Sequence, residues 1–272
     1  GQQDALTWSF APPSPWTGPT QVSQRDLSAG LPAITIDREG NFHLLWSEES
    51  TGLQYARRNK ILTASNAETF RWSAPKDVLG TAEQLPVKPA LVTINDHLHA
   101  VWSEINTGLV LHASAFVDDA HMSSGWSTPQ TVGTGTSPAL THTPDGVLHV
   151  AFSIPLNEQR GVYYTHSGTE GQTWTKSPSS IFDASAEGWT MVDHPAIAID
   201  AQGGIHVTWT RGGWQDDMIP QGIYYAHSRD RGETWSEPLA LAEGSYDASQ
   251  VAVTQDKIHI VWRDMSSDGG IY

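Results

Sequence analysis

The sequence has no cysteine among its 272 residues. This excludes a disulfide framework and any metal site built on thiolates. Positive charge is also scarce, because 15 Lys and Arg stand against 30 Asp and Glu, for a net charge of −15. Nucleic acids and anionic membranes are therefore not expected as partners, since both bind basic surfaces. No apolar run approaches the roughly 18 residues of a membrane-spanning helix, so no membrane span is predicted.

Long helical patterns are missing as well, since no long segment repeats its apolar residues every 3.6 positions. We therefore expect almost no helix. The chain begins with Gly1 rather than Met, which we interpret as the removal of a leader or a tag. We expect a secreted, cell-surface or periplasmic domain. What the chain does have is 12 Trp, 24 Gly and 16 Pro, a mixture that suits many short strands joined by tight turns.

One segment recurs along the chain, and Ile205–Trp209 is its clearest copy. Its copies are centred on five histidines that lie 50 to 57 residues apart: His43, His99, His149, His206 and His259. A fixed period of this length indicates a repeat architecture. Each copy stands within a repeat of four parts: an apolar strand, a turn with the His strand, a strand that begins with Gly, and a Trp-x-x-Pro segment.

Four short strands in each period of about 50 residues are typical of a β-propeller blade. The sequence therefore predicts an all-β, five-bladed β-propeller with four-stranded antiparallel blades, forming one domain over residues 1–272. The predicted blades span residues 31–80, 87–133, 137–183, 193–242, and 246–272 together with 5–22. The last repeat stops at Tyr272 without its Trp-x-x-Pro strand, while Trp16–Val22 is surplus at the other end. We expect this N-terminal strand to lie beside Gly270–Tyr272 and to close the ring.

A turn motif gives a family resemblance. Ser228–Trp235 reads Ser-Arg-Asp-Arg-Gly-Glu-Thr-Trp, and Ser167–Trp174 is a degenerate copy with Thr169 in place of Asp. The chain thus resembles the sialidase-like β-propellers that carry Asp-box (BNR) repeats. The resemblance implies that Asp230 holds a turn opposite the active face and is not catalytic, since the Asp-box marks a fold and not an activity.

The resemblance does not extend to sialidase activity. Such enzymes grip a carboxylate with three arginines, one of which usually precedes the Pro of a first strand. Here that place is taken by Leu31, Lys88, Ser137 and His194, with Ser249 at the nearest position of the fifth repeat. No Tyr and Glu nucleophile pair is identifiable either.

Functional groups of propellers lie in the loops at one mouth of the central channel. The residues two positions after the second-strand aromatic are Glu48, Glu104, Ile154, Arg211 and Asp264. Pseudo-symmetry predicts that they surround one opening, and the start of the first strands adds Lys88, Asp193, His194 and Asp247. The long loops of the fourth repeat contribute Trp189 and Trp214, whose rings suit the apolar face of a sugar.

Three functions remain open at this point. We favour a domain that binds glycans or another polar ligand without catalysis, through Arg211, Trp214, Trp189, His194 and Lys88. The second is a glycoside hydrolase that uses Glu48, Glu104 or Asp264, since that chemistry needs two carboxyl groups about 5–10 Å apart. The third is a structural or protein-interaction scaffold. Against catalysis, Glu48 and Glu104 also read as solvated carboxylates at ordinary strand ends.

No cofactor is expected. The five repeat histidines do not read as metal ligands, because pseudo-symmetry places each in its own blade, where a neutral His would bridge backbone groups of neighbouring strands. Carboxylates of the acidic loops suit calcium, but no segment has a ligand spacing that indicates it.

Overall fold

The computed structural model describes residues 19–24, 28–48, 51–62, 68–215, 217–254, 257–266 and 269–272. Within these ranges the chain forms nineteen strands and one short 3-10 turn at Ser123–Gly125, with no α-helix. The expected all-β class is confirmed. None of the described residues belongs to a helix long and apolar enough to cross a bilayer.

The strands form five antiparallel sheets that follow one another along the chain. The first sheet contains β1 (Ala29–Ile36), β2 (Phe42–Glu48), β3 (Leu53–Leu62), β4 (Glu68–Trp72) and β5 (Lys76–Leu79). The second contains β6 (Pro86–Ile94), β7 (His97–Glu104), β8 (Leu109–Phe116) and β9 (Gln130–Thr134). The third contains β10 (Thr136–His142), β11 (Leu148–Ile154), β12 (Gly161–Ser167) and β13 (Ser179–Asp183). The fourth contains β14 (Met191–Ile199), β15 (Ile205–Gln215), β16 (Asp217–Ser228) and β17 (Leu239–Glu243), and the fifth contains β18 (Tyr246–Val253) and β19 (Ile258–Asp264).

The second, third and fourth sheets have the predicted four strands in sequence order. In the first sheet, β4 and β5 pair with successive parts of β3 and so share the outer position. In the fifth sheet, Gly270–Tyr272 takes the third position, because its backbone exchanges hydrogen bonds with Trp262 and Asp264. The order of strands read from the repeat is therefore present in each sheet.

The first strands of the sheets pack side by side, in the order β1, β6, β10, β14 and β18. No comparable packing joins β18 to β1 among the described strands. Most of the predicted closing strand, up to Gly18, lies outside the described residues, and Pro19–Val22 forms no strand. Thr20–Val22 lines a cavity with Arg58 and Phe70–Ala74 of the first sheet. The number of blades and the closure of the ring thus stay predictions.

The two faces of each sheet look toward opposite neighbours. On β11, the ring of Phe152 lies against Gly133 of the preceding sheet, where an added Cβ would come within 2.6 Å of it. The next residue, Ser153, turns the other way and bonds to Asp193 of the following sheet. The equivalent Trp102 and Trp209 are fully buried. Burial of these large rings between sheets stabilises the stack, at roughly 25 cal/mol for each Å² of apolar surface removed from water.

The repeat histidines stay within their own sheets, as predicted. His43, His149 and His206 each meet a third-strand tyrosine hydroxyl through Nδ1, at 2.7, 2.6 and 2.8 Å. The prediction that these histidines bond to backbone groups is therefore wrong, because their hydrogen-bond partners are side chains. The pKa of His149 falls to about 4 because it is buried, so this ring is neutral at pH 7. The described residues contain no group of three or more His, Asp or Glu placed to hold a metal ion.

Asp230 holds a turn. Its Oδ1 accepts the backbone N–H of Thr234 at 2.9 Å and the hydroxyl of Ser228 at 2.7 Å. Gly232 has a φ of +87° and lies against the ring of Tyr164 in the preceding sheet, so a side chain would fit neither the backbone nor the space. In the degenerate copy, the hydroxyl of Thr169 accepts the N–H of Thr173 at 2.9 Å and replaces one bond of the carboxylate.

Candidate functional site

Each first strand carries a β-bulge near its start. In the second to fifth sheets the bulge turns one residue into the left-handed region, with φ values of 51° at Lys88, 52° at Ser137, 52° at His194 and 53° at Ala248. Left-handed backbone costs about 1–2 kcal/mol for a residue with a side chain, and Gly would avoid this cost. In the fifth sheet Ala248 takes this place, so the assignment of Ser249 to it is wrong by one residue. Gln250 pairs with Val261 as Ala90 pairs with Val101, so Ser249 stands where the second sheet has Pro89.

The bulge of the second sheet contacts the bulges of the third and fourth sheets through Lys88. Lys88 Nζ donates to Ser137 Oγ at 2.6 Å and forms an ion pair with Asp193 Oδ2 at 3.2 Å. Ser153 Oγ donates to the other oxygen of Asp193 at 2.6 Å. Three successive sheets thus contribute to one cluster of polar side chains.

The cluster continues into the fifth sheet. His194 Nδ1 lies 2.7 Å from Asp247 Oδ1, and Thr210 Oγ1 donates to the same oxygen at 3.0 Å. Arg263 donates to Asp247 Oδ2 at 3.4 Å. We call the five charged residues the bulge network: Lys88, Asp193, His194, Asp247 and Arg263. The network links the second sheet to the fifth by alternating cations and carboxylates.

The network shifts the pKa of three of its members, Asp247, Asp193 and His194. Burial alone would raise the pKa of Asp247, but the hydrogen bond and the charge of His194 outweigh it and lower that pKa to about 2. For Asp193, burial is likewise outweighed by the charges of Lys88 and His194, so its pKa is lowered. Burial would lower the pKa of His194, yet its bond to Asp247 and the charges of both carboxylates raise it. The two carboxylates therefore face Lys88, Arg263 and the His194 imidazole, whose protonated form they favour.

The residues predicted two positions after each aromatic do not join this network. Strand alternation puts Glu48, Glu104 and Arg211 on the strand face opposite to Ser47, Ser103 and Thr210. Glu48 and Glu104 are 5% and 3% exposed, so their interpretation as solvated strand ends is wrong. Thr107 donates to Glu104 at 3.0 Å. The other oxygen of Glu104 and both oxygens of Glu48 have no partner in the described part of the chain.

No hydrogen bond or ion pair within the described ranges joins Glu48, Glu104, Arg211 and Asp264 to one another. Asp264 instead accepts the N–H of Ser266 at 2.8 Å and shapes a turn. The structure therefore brings together the set from the first strands and not the set from the second strands. The second-strand residues were expected to surround one opening, but none of them contacts another in the described part of the chain.

Trp189 and Arg211 do meet. The Arg211 guanidinium lies 4.7 Å from the centre of the Trp189 ring, and the rings of Phe182 and Tyr224 each lie 4.4 Å from it. Trp189 is thus packed by three side chains and is not an open platform. With Tyr224 and Trp235 it lines a cavity of about 390 Å³ between the third and fourth sheets.

Trp214 has the opposite character, because it is 52% exposed. It lies on the β15–β16 hairpin, which continues past the last pair with β14, Met191 with Gly212. Strand alternation gives Trp214 the same face as Thr210, which bonds to Asp247 of the network. Four residues of strand separate them, or roughly 13 Å. An aromatic ring therefore stands exposed beyond the network.

Sequence reasoning missed three side chains of this cluster: Ser153, Thr210 and Arg263. They follow the second-strand aromatic by one position, where the repeats read Ser47, Ser103, Ser153, Thr210 and Arg263. The sequence signal was a hydroxyl residue at this position in the first four repeats, with Arg in the fifth.

Comparisons with protein-family models and with curated protein sequences found no match. Solved structures do share the fold. A protein of unknown function from Dyadobacter fermentans aligns over 91% of this chain and 78% of its own, at 12% identity and a TM-score of 0.64. An arabinanase from Bacillus subtilis aligns over 86% of this chain and 89% of its own, at 15% identity and a TM-score of 0.53. The sialidase of Trypanosoma rangeli aligns over 88% of this chain but 44% of its own, at 10% identity and a TM-score of 0.52.

At these identities the similarity shows the fold alone. The neighbours are β-propellers, so the comparison supports the predicted β-propeller fold, and membership of the Asp-box superfamily stays a prediction.

Proposed function

We propose that this chain is an exported domain that binds glycans at the end of the fold where the bulge network lies, and that it does so without catalysis. The named neighbours give the ligand class its support, since an arabinanase and a sialidase are named for enzymes that act on carbohydrates. The exposed ring of Trp214, on the same strand face as Thr210 of the network and roughly 13 Å along the strand from it, would supply an apolar surface for a sugar, and the network would supply oriented hydrogen bonds.

One observation carries the choice of binding over catalysis. The two carboxyl groups of the bulge network, Asp193 and Asp247, are both ion-paired, and these partners lower the pKa of each although burial opposes this. Hydrolysis of a glycosidic bond needs one carboxyl kept protonated as the acid, which requires a raised pKa. Ion-paired carboxylates such as Asp193 instead fix the positions of their partners.

The test is a glycan array with the wild type and two variants. Trp214→Ala should abolish or strongly weaken the strongest signal, because it removes the exposed ring. The matched control is Phe116→Ala, which removes a ring that is 55% exposed at the end of β8, on the opposite side of the sheets. Binding that is unchanged in Trp214→Ala, or lost equally in both variants, would contradict the proposal.

A glycoside hydrolase is the second candidate, and the buried carboxyls of Glu48 and Glu104 favour it. A buried carboxyl with unpartnered oxygens is unusual outside a functional site. A panel of chromogenic glycosides tests this candidate. Turnover by the wild type that disappears in Glu104→Gln would replace the binding proposal, and no turnover on any substrate would remove the enzyme from consideration.

We further propose that the fifth sheet packs against the first and closes a five-bladed ring. Val261 is 46% exposed, whereas Leu45, Val101 and Ala151 at the same position are fully buried. These side chains face the following sheet. On the opposite face of the first sheet, Ile34 is 57% exposed, whereas the equivalent Leu91 and Ile197 are 7% and 8% exposed. The two apolar faces left open are the two that closure would bring together.

Val261→Asp tests the closure. In a closed ring it should lower the free energy of unfolding by several kcal/mol, as Val101→Asp should, because both bury a charge. A change below about 0.5 kcal/mol, which is usual for a surface position, would show that the fifth sheet stays open.

A further inference from the structure

We infer that the buried pair of His99 and His112 is an acid-sensitive contact, which weakens the packing of the third sheet on the second when the pair is protonated. In the first, third and fourth sheets, the repeat histidine bonds to a third-strand tyrosine. In the second sheet His112 replaces that tyrosine, and its Nε2 lies 3.2 Å from Nδ1 of His99. The two residues are 1% and 2% exposed, so neither ring has ready access to water.

His112 packs against the third sheet as Tyr164 packs against the fourth. Both residues have the same register on the second strand of their sheet. Trp174 meets the His112 ring at a centroid distance of 5.3 Å, and Trp235 meets the Tyr164 ring at 5.5 Å, with an interplanar angle of 67° in both pairs. The two side chains therefore make the same contact with the following sheet, but only histidine gains a charge in acid.

The hydrogen bond of the pair depends on its protonation state. A neutral pair shares one proton between the two facing nitrogens, because one must donate and the other must accept. When both rings are charged, two N–H groups point at each other. A charged His112 also carries a proton on Nδ1, which lies against Gly171 and has no partner in the described part of the chain. Charging the pair therefore breaks one hydrogen bond and leaves a buried donor unsatisfied.

The groups around the pair do little to offset this cost. The ring centre of His97 lies 6.3 Å from that of His99, and His142 of β10 is a further histidine near it. β9 has no charged residue, and the one charge of β6 is Lys88, four positions before the Val92 that pairs with His99. A cavity of about 350 Å³ beside His112 has one carboxylate in its described lining, Glu170.

The pKa values agree with this geometry. Burial, followed by the charges of His97 and His142, lowers the pKa of His99 to about 4. Burial and then the charge of His99 lower the pKa of His112 to about 3. An unfolded histidine titrates near 6.5, so the unfolded chain binds protons first as pH falls. The contribution of the pair to stability is therefore full above pH 6.5 and is lost progressively below it.

The cavity beside His112 gives a charged ring a place to meet water. A ring that turns toward Glu170 leaves its contacts with Gly171 and Trp174 of the third sheet. Lys88 crosses the same boundary between the second and third sheets, where it donates to Ser137. Acid should therefore also loosen the attachment of Lys88 to the third sheet.

The experiment is urea denaturation of the wild-type chain and of His112→Tyr between pH 7.5 and pH 4.5. A tyrosine suits this position, because Tyr164 bonds to His149 at 2.6 Å in the same place and lies against Gly232 as His112 lies against Gly171. Over this range the folding equilibrium constant of the wild type should fall roughly a hundredfold more than that of His112→Tyr, since each pH unit costs up to about tenfold for one buried histidine.

The matched control is His121→Tyr, the same substitution at an exposed histidine of the turn after β8. It should follow the pH dependence of the wild type. Tyr164→His makes the opposite change in the third sheet and should steepen the loss in acid. This variant keeps the test decisive if His112→Tyr does not fold.

Hydrogen exchange at pH 4.5 locates the effect. The turn at 168–173 should exchange faster in the wild type than in His112→Tyr, because this turn packs on His112. An acid dependence that is the same in the wild type and His112→Tyr, or unchanged by Tyr164→His, would overturn the inference. Faster exchange spread evenly over all sheets would also overturn it, since the boundary between the second and third sheets would then have no special sensitivity.

Discussion

Two pairs of buried carboxylates lie at the same end of this fold and differ in their hydrogen-bond partners. Asp193 and Asp247 begin first strands and are surrounded by donors from neighbouring sheets. Glu48 and Glu104 end second strands, and three of their four carboxylate oxygens have no partner among the described atoms. All four are less than 9% exposed. Equal burial therefore goes with different numbers of hydrogen-bond partners, and the donors near each carboxylate determine whether it fixes the neighbouring side chains.

The largest expected effect is on stability when the partnered pair loses a charge. Asp193→Asn should lower the free energy of unfolding by about 2–3 kcal/mol, less than for a fully buried ion pair because Lys88 reaches water. Glu104→Gln should change it by less than about 1 kcal/mol or raise it, because the variant removes a buried charge without an ion-pair partner. Urea denaturation of both variants measures the difference. Equal losses would show that the two environments are energetically alike.

A smaller effect is expected from one donor to the network. Thr210→Val keeps the shape of a fully buried side chain and removes the hydroxyl that donates to Asp247. It should cost about 1.5 kcal/mol, as is usual for hydrogen bonds to charged groups. The matched control is Thr93→Val, which removes the bond between the hydroxyls of Thr93 and Thr35 and should cost about 0.5–1 kcal/mol. A control loss as large as that of Thr210→Val would contradict a special contribution of Asp247.

The smallest effect is on the pH dependence of stability. The pKa of His194 is raised in the folded chain, although burial opposes this, because of Asp247 and Asp193; Lys88 acts against them. The stabilisation is therefore fully present below the unfolded value of 6.5 and is lost as pH rises through the folded pKa. Wild-type stability should decline above pH 6.5, with a slope of at most about 1.4 kcal/mol per pH unit. His194→Gln should lack this decline, and the same slope in the variant would assign it to another group.

Much of the fold follows from the repeat. Strand order, the turn at Asp230 and the place of each histidine are local properties, and the period of the pattern fixes them. The same pseudo-symmetry named Lys88, Asp193, His194 and Asp247 as one group, and contacts join these residues in the structure, while their role in binding stays a prediction.

The second-strand residues were harder to place for a physical reason. Strand alternation sends Glu104 and Ser103 to opposite faces, and the sequence alone does not say which face meets the neighbouring bulge. The bulge itself depends on left-handed backbone at Lys88, Ser137 and His194, and these residue types do not predict that conformation. Trp189 and Trp214 show the same limit, since packing buries one ring and leaves the other exposed.

The long β15–β16 hairpin of the fourth sheet also makes the surface around the network asymmetric. Its described strands, Gly213–Gln215 and Asp217–Ile219, extend past the last pair with β14, so the exposed ring of Trp214 marks one side of the surface around the network.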